Sequence, residues 1–182
     1  MNRLRIGGGE LRSRVIHFPD AEGLRPTPDR VRETLFNWLG QTLFGKSCLD
    51  LFAGSGALGI EAASRGAEQV VMVEKNALVF RVLRENIGKL GCSNISLRHQ
   101  DGLEFASAHL GQKSPQFDVI FLDPPFASGF LPELLEILPQ RLTEGGVVYV
   151  ETGAPFEVSL PWQVLKSGRA GQVYYQLIGQ CK

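Results

Sequence analysis

The chain has 182 residues and a mass of 20.0 kDa, and its 19 Lys+Arg balance 19 Asp+Glu, so the formal net charge is zero. Hydrophobic residues at 43% and charged residues at 21% describe one globular domain with its own core, which excludes a fibre, a disordered chain or a stapled miniature scaffold. No apolar run is long enough to cross a bilayer, the first ten residues lack an apolar signal region, and Cys48, Cys92 and Cys181 form no CxxC pair, which points to a reducing, cytoplasmic setting without a metal cluster.

Zero net charge is an average over two unlike parts. Residues 1–46 carry eight basic groups, all Arg except Lys46, against five acidic ones, while residues 47–182 carry eleven against fourteen. Arg grips phosphate with two parallel hydrogen bonds, although a solvated Arg-rich surface fits the charge count equally well. Residues 1–25 are rich in Gly and Arg and predict a small strand pair near 3–6 and 13–17. A helix then begins with Thr27 as its cap, Pro28 at the first helical position and Asp29 at the positive end of the dipole. Val31, Leu35, Trp38 and Leu39 give that helix one buried face.

From residue 47 strands and helices alternate. A strand over 47–52 leads into a glycine loop and a helix over 57–65, stopped at Gly66. A strand over 69–74 precedes a helix marked by Leu78, Val82, Leu83, Ile87 and Leu90 and ending at Gly91. A strand over 94–100, a short helix over 102–109 and a strand over 117–122 follow. Leu131, Leu134, Leu135, Leu138 and Leu142 define the next helix, and Gly145-Gly146 turns into a strand over 147–151. Two closing strands, 162–166 and 172–178, read as a hairpin. The pattern predicts an α/β, Rossmann-like, seven-stranded, mostly parallel sheet with helices on both faces and an antiparallel last strand. It forms a single domain over 1–182, in which a short Arg-rich extension, 1–25, precedes the core, 26–182.

Gly54, Gly56 and Gly59 form G-x-G-x-x-G directly after a strand and at the start of a helix. Glu74 ends the next strand twenty residues after Gly54, where an acid accepts ribose hydroxyls. Together these features favour a nucleoside cofactor over a bare turn, and NAD stays open on this fingerprint alone. Asp50, inside the first strand, is placed to receive a ligand ammonium or to order the loop. Asp101 ends the third strand, where a carboxylate can accept from an adenine amino group. Asp123-Pro124-Pro125-Phe126 ends the fourth strand, at the crevice where such sheets place reacting groups. Two prolines restrict that loop, which holds a carboxylate and a free carbonyl in fixed directions or is simply a rigid turn.

In this order, 50–59, Glu74, Asp101 and Asp123–Phe126 resemble the motifs of class I S-adenosylmethionine-dependent methyltransferases, in the D-P-P-F form of those acting on exocyclic amines. The segments 5–14 and 24–39 are similar to those of the bacterial 16S ribosomal RNA guanine-N2 methyltransferases of the RsmD type, with Ser13 standing where the family usually has glycine. The resemblance implies S-adenosylmethionine held by Asp50, Gly54, Ser55, Gly56, Glu74, Asp101, Gly102 and Thr27. It implies catalysis by Asp123 and the Pro124 carbonyl, which accept the guanine N2–H bonds, and by Phe126, which stacks on the base. It assigns Arg5, Arg12, Arg14, Arg25, Arg32 and Pro125 to the substrate, with Arg3 as a further phosphate contact. The implied partner is 16S ribosomal RNA in an assembled or partly assembled small subunit, bound by a monomer without a metal. The competing classes are an NAD-dependent dehydrogenase, an amine methyltransferase acting on another RNA, DNA or a protein amide, and a non-catalytic RNA-binding assembly factor.

Overall fold

A computed structural model describes residues 1–108, 114–125 and 129–181. The expected elements are present: β1 (Asn2–Arg5), β2 (Val15–Phe18), α1 (Asp29–Leu39), β3 (Ser47–Asp50), α2 (Ala57–Ser64), β4 (Gln69–Glu74) and α3 (Ala77–Leu90). They are followed by β5 (Ile95–His99), α4 (Gly102–Ser107), β6 (Phe117–Leu122), α5 (Leu131–Ile137), β7 (Leu142–Thr152), β8 (Trp162–Ala170) and β9 (Val173–Gln180).

Seven strands form one sheet in the order β5-β4-β3-β6-β7-β9-β8. Pairing is parallel from β5 to β7, and β9 is antiparallel to both β7 and β8, as expected of the last strand. The central strands are apolar on both sides because both faces are covered. Cys48, Val70, Met72, Val119 and Phe121 pack with Val31, Leu35, Ile60 and Leu83 of α1–α3, while Leu49, Val71, Ile120 and Leu122 pack with Ala106 and Leu134 of α4 and α5. Strand order reverses between β3 and β6, which opens a crevice beyond their carboxyl ends.

The N-terminal extension is part of the body. Leu4, Ile6, Ile16 and Phe18 are buried in the same core as α2 and α3. The loop between β1 and β2 seats on the last turn of α2, where the Glu10 N–H donates to the Ser64 carbonyl at 2.8 Å and the Leu11 N–H to Ser64 Oγ at 2.9 Å. Ser13 has φ 71°, a left-handed conformation that a side chain strains and glycine adopts freely.

Three local expectations are corrected. Pro28, not Thr27, stands at the N-cap of α1; its hydrocarbon side chain can supply no cap bond, and the Thr27 hydroxyl is bonded to Glu151 instead. The helix expected through Leu142 ends at Ile137 and tightens into a 3₁₀ turn, Leu138–Arg141. Pro139 lacks the N–H that would bond the Leu135 carbonyl, and the Trp162 indole donates to that carbonyl instead at 2.8 Å. β7 starts at Leu142 and contains Gly145-Gly146, so the glycines form an irregularity within a strand, not a turn before one.

Candidate active site

The glycine loop after β3 is shaped by two close approaches. Gly56 takes φ 83° at the N-terminus of α2, and a Cβ on Gly59 would lie 2.8 Å from Met72 and 2.9 Å from Asp50 Oδ2. Asp50 is buried, and its Oδ2 accepts from the Gly59 N–H at 2.9 Å, so it ties the strand end to the helix. Glu74 ends β4 with Oε2 accepting from the Gly54 N–H at 2.9 Å and Oε1 from the Asn76 N–H at 2.7 Å. Asp101 caps α4 through Oδ1, which accepts from Leu103 and Glu104, while Oδ2 lies 3.6 Å from Lys75 Nζ. Gly102 is buried so tightly that a Cβ would sit 2.6 Å from the Leu51 carbonyl, and Ser55 Oγ accepts from the Ala57 N–H at 3.3 Å.

A strap crosses this crevice. The Leu24 side chain stands 2.9 Å from where a Cβ on Gly54 would be, and Thr27 Oγ1 donates to Glu151 Oε2 at 3.1 Å. Residues 24–27 therefore run from the glycine loop to the end of β7, with Arg25 exposed on the strap. Tyr149 OH donates to the same Glu151 oxygen at 2.8 Å.

Asp123 follows β6, half-buried, with Pro124 buried and Pro125 exposed; Phe126 lies outside the described residues. Burial pushes the Asp123 carboxyl well above its ordinary range, and the nearby Glu151 and Asp50 carboxyls push it further. Burial likewise raises Asp50 to about 7 against the lowering bond from Gly59, with a further rise from Glu74. Glu151 is raised by burial and held back by its Tyr149 and Thr27 hydroxyls. Among the described residues, none of these three acids has an ion-pair partner. A crevice lined by Asp50, Asp123 and Glu151 fits a ligand bearing positive charge, and Glu74 stands beside the Gly54–Gly56 turn, the position from which an acid accepts ribose hydroxyls in such sheets. S-Adenosylmethionine carries a nucleoside, an ammonium and a sulfonium, so the residues present fit it.

Other expected site residues lie elsewhere. Arg32 is a correction: it is 3% exposed, and its guanidinium donates to Glu61 Oε2 at 3.1 Å and to the Arg5 carbonyl at 3.0 Å, so it is a strut between elements and not a substrate contact. Arg12 and Arg14 stand in or beside the loop seated on the C-terminal end of α2, whereas the glycine loop is at its N-terminal end. Arg5 is exposed on β1. Arg12 and Arg14 are therefore at the opposite end of α2 from the glycine loop, and the eight residues of α2 span roughly 12 Å. Two surface depressions of about 500 and 960 Å³ also lie away from the crevice, one at the N-terminal ends of β3–β5 and one beneath the hairpin loop. Glu151 and Tyr149 were not among the expected site residues.

The family model described as conserved hypothetical protein 95 matches residues 4–179. Ribosomal RNA small subunit methyltransferase D of Escherichia coli strain K12 is 40% identical over 181 residues, covering 96% of this chain and 89% of that protein. The protein of the same name from Haemophilus influenzae is 40% identical over 180 residues, covering 96% of this chain and 92% of that one. A solved methyltransferase structure from Escherichia coli superposes with a TM-score of 0.87 at 38% identity, covering 98% of both chains. By match length and identity alike, the chain belongs to the ribosomal RNA small subunit methyltransferase D family.

Proposed function

We propose that this methyltransferase of small-subunit ribosomal RNA acts on the exocyclic N2 amine of one guanine. The methyl donor is S-adenosylmethionine, which supplies when bound an electrophilic methyl group on a sulfonium and leaves as a neutral thioether. The observation that carries the amine assignment is the Asp123 carboxylate, without an ion-pair partner among the described residues, followed by the buried Pro124 at the end of β6, beside the switch point.

Guanine N2 is a weak nucleophile because its lone pair is delocalised into the ring. Asp123 and the Pro124 carbonyl accept its two N–H bonds and turn the lone pair toward the donor methyl. As the N–C bond forms, one N–H proton is lost, to the Asp123 carboxylate or to water. Most of the acceleration is alignment of donor and acceptor, worth several kcal/mol in general. Glu74 is placed for the ribose hydroxyls, Asp101 for the adenine amine, and Asp50 and Glu151 for positive charge. Gly54, Ser55, Gly56, Gly102 and the strap at Thr27 complete the cofactor cradle, with Phe126 proposed to stack on the base. The base must leave its stack to reach this crevice. Arg25 and Pro125 are exposed at its rim, where RNA arrives as part of a small-subunit particle, and the protein acts as a cytoplasmic monomer.

The test is incubation with labelled S-adenosylmethionine and small-subunit particles lacking the modification, followed by nucleoside analysis. Label is expected in N2-methylguanosine; label in methyladenosine or in protein overturns the assignment. Asp123→Ala is expected to lower kcat by at least about a thousandfold while cofactor binding stays measurable. Retained turnover removes Asp123 from the mechanism.

A further inference from the structure

The body of the chain is acidic on balance, yet one of its faces is strongly basic. Residues 75–99 hold Lys75, Arg81, Arg84, Lys89 and Arg98 against one acid, Glu85, and all six are exposed. Arg81, Arg84 and Glu85 lie at i, i+3 and i+4 on the outward stripe of α3, whose inward residues Val79, Val82, Leu83 and Asn86 are buried.

β2 lies along this helix. Asn86 Nδ2 donates to the His17 carbonyl at 2.6 Å, and Ile16 and Phe18 share a core with Val79 and Leu83. The residues that the hairpin turns outward are Arg3 opposite His17 and Arg5 opposite Val15. Arg14 stands near Cys92, just beyond the C-terminus of α3; burial pushes that thiol up and the Arg14 guanidinium draws it back. Hairpin and helix thus present one continuous surface. It runs from Lys75, next to Glu74 at the rim of the cofactor crevice, along the 14 residues of α3 to Lys89 and Arg14, a span of about 21 Å.

This surface offers charge, not an open platform for bases. The Phe80 ring is engaged by His99, stacked at 4.7 Å between centroids, and by the Arg84 guanidinium at 6.0 Å. Unpaired bases need free aromatic faces, whereas a double helix presents closely spaced phosphates that exposed Arg and Lys neutralise in any sequence. We propose that α3 and the outer face of the β1–β2 hairpin dock the sugar–phosphate backbone of a double-helical RNA segment flanking the methylated base. This rests on ribosomal RNA as the substrate, and it divides the labour: the basic face sets position and the Asp123 crevice selects the base.

The test compares wild-type protein, the triple variant Arg81→Gln/Arg84→Gln/Lys89→Gln, and Glu85→Lys, binding to small-subunit particles lacking the modification across a range of KCl concentrations. In the triple variant the slope of log Kd against log salt falls by about 1 for each phosphate that is no longer neutralised, and affinity near physiological salt drops roughly tenfold or more. Glu85→Lys acts in the opposite sense, with tighter binding and a steeper slope. Cofactor Kd and Tm, unmoved in all three proteins, report an intact fold. Unchanged salt slopes in both variants overturn the surface. Where wild-type protein labels ribosomal RNA in the same preparation, that overturn leaves the substrate reading standing; no label in ribosomal RNA removes the substrate reading and this surface with it.

Discussion

Glu151 gathers two hydroxyl donors on one oxygen, from Tyr149 at 2.8 Å and Thr27 at 3.1 Å. Both bonds favour its ionised form against the larger cost of burial, and in that form Glu151 sets a negative charge beside Asp123. That charge, after burial itself, raises the proton affinity of Asp123, which makes its carboxylate a stronger acceptor for the amine and a better sink for the departing proton. Asp123 must be ionised to accept, so activity is lost as pH falls through its raised pKa. Glu151→Gln keeps an acceptor for both hydroxyls and removes the charge. The acid limb of kcat/KM is then expected at lower pH, with kcat reduced by about tenfold; a pH–rate profile whose acid limb stays in place excludes this coupling. Glu151 is legible in one respect: like Glu74 it ends a buried parallel strand. Its partners are not, since Thr27 lies 124 residues away in sequence and reads as the cap of a helix that forms without it.

At the scale of elements, one carboxylate locks three segments together. Glu61, near the end of α2, receives Arg32 of α1 at 3.1 Å, Arg65 at 2.8 Å and the N–H of Gly7, just past β1, at 3.3 Å. The lock fixes where the chain enters the strap, because residues 24–27 lie between the hairpin and α1. Removing its charge takes away the carboxylate shared by two buried guanidinium groups, leaving Arg32 on Asp29 and the Arg5 carbonyl and Arg65 on Gln41, so Glu61→Gln is expected to cost about 1–3 kcal/mol, read as ΔG of unfolding in denaturant. A loss below about 1 kcal/mol would show that the lock is dispensable. Strand and helix positions are readable here from periodicity, and the inward face of α1 nearly so: Arg32, Leu35, Phe36 and Leu39 share one stripe. An arginine on that stripe implies a buried counter-charge. Sequence carries no sign of which acid supplies it, because Glu61 sits inside the wholly buried α2 and is brought close only by tertiary packing.

Across the whole molecule, charge is sorted by place: an exposed basic face on α3 and the hairpin, and a crevice of buried and half-buried acids at the carboxyl ends of the strands. The buried acids make the ligand-free fold sensitive to base. The Asp50 carboxyl is about 7 in the fold against an ordinary 3.8, so the folded state holds its proton more tightly than the unfolded chain. That stability is fully present below the ordinary value and is lost as pH rises through about 7, by up to ~4 kcal/mol for this group. Asp123 and Glu151 are raised in the same direction and add to the trend. The ligand-free protein is therefore expected to show a lower Tm at pH 8 than at pH 5.5. Asp50→Asn retains an oxygen for the Gly59 N–H and carries no charge, so it should flatten much of that fall. S-Adenosylmethionine brings positive charge to the ionised crevice and should raise Tm more at pH 8 than at pH 5.5. Parallel Tm–pH curves for wild type and Asp50→Asn would mean that this carboxylate is already relieved by solvent in the ligand-free crevice, and the acids would then be a binding feature without a folding cost.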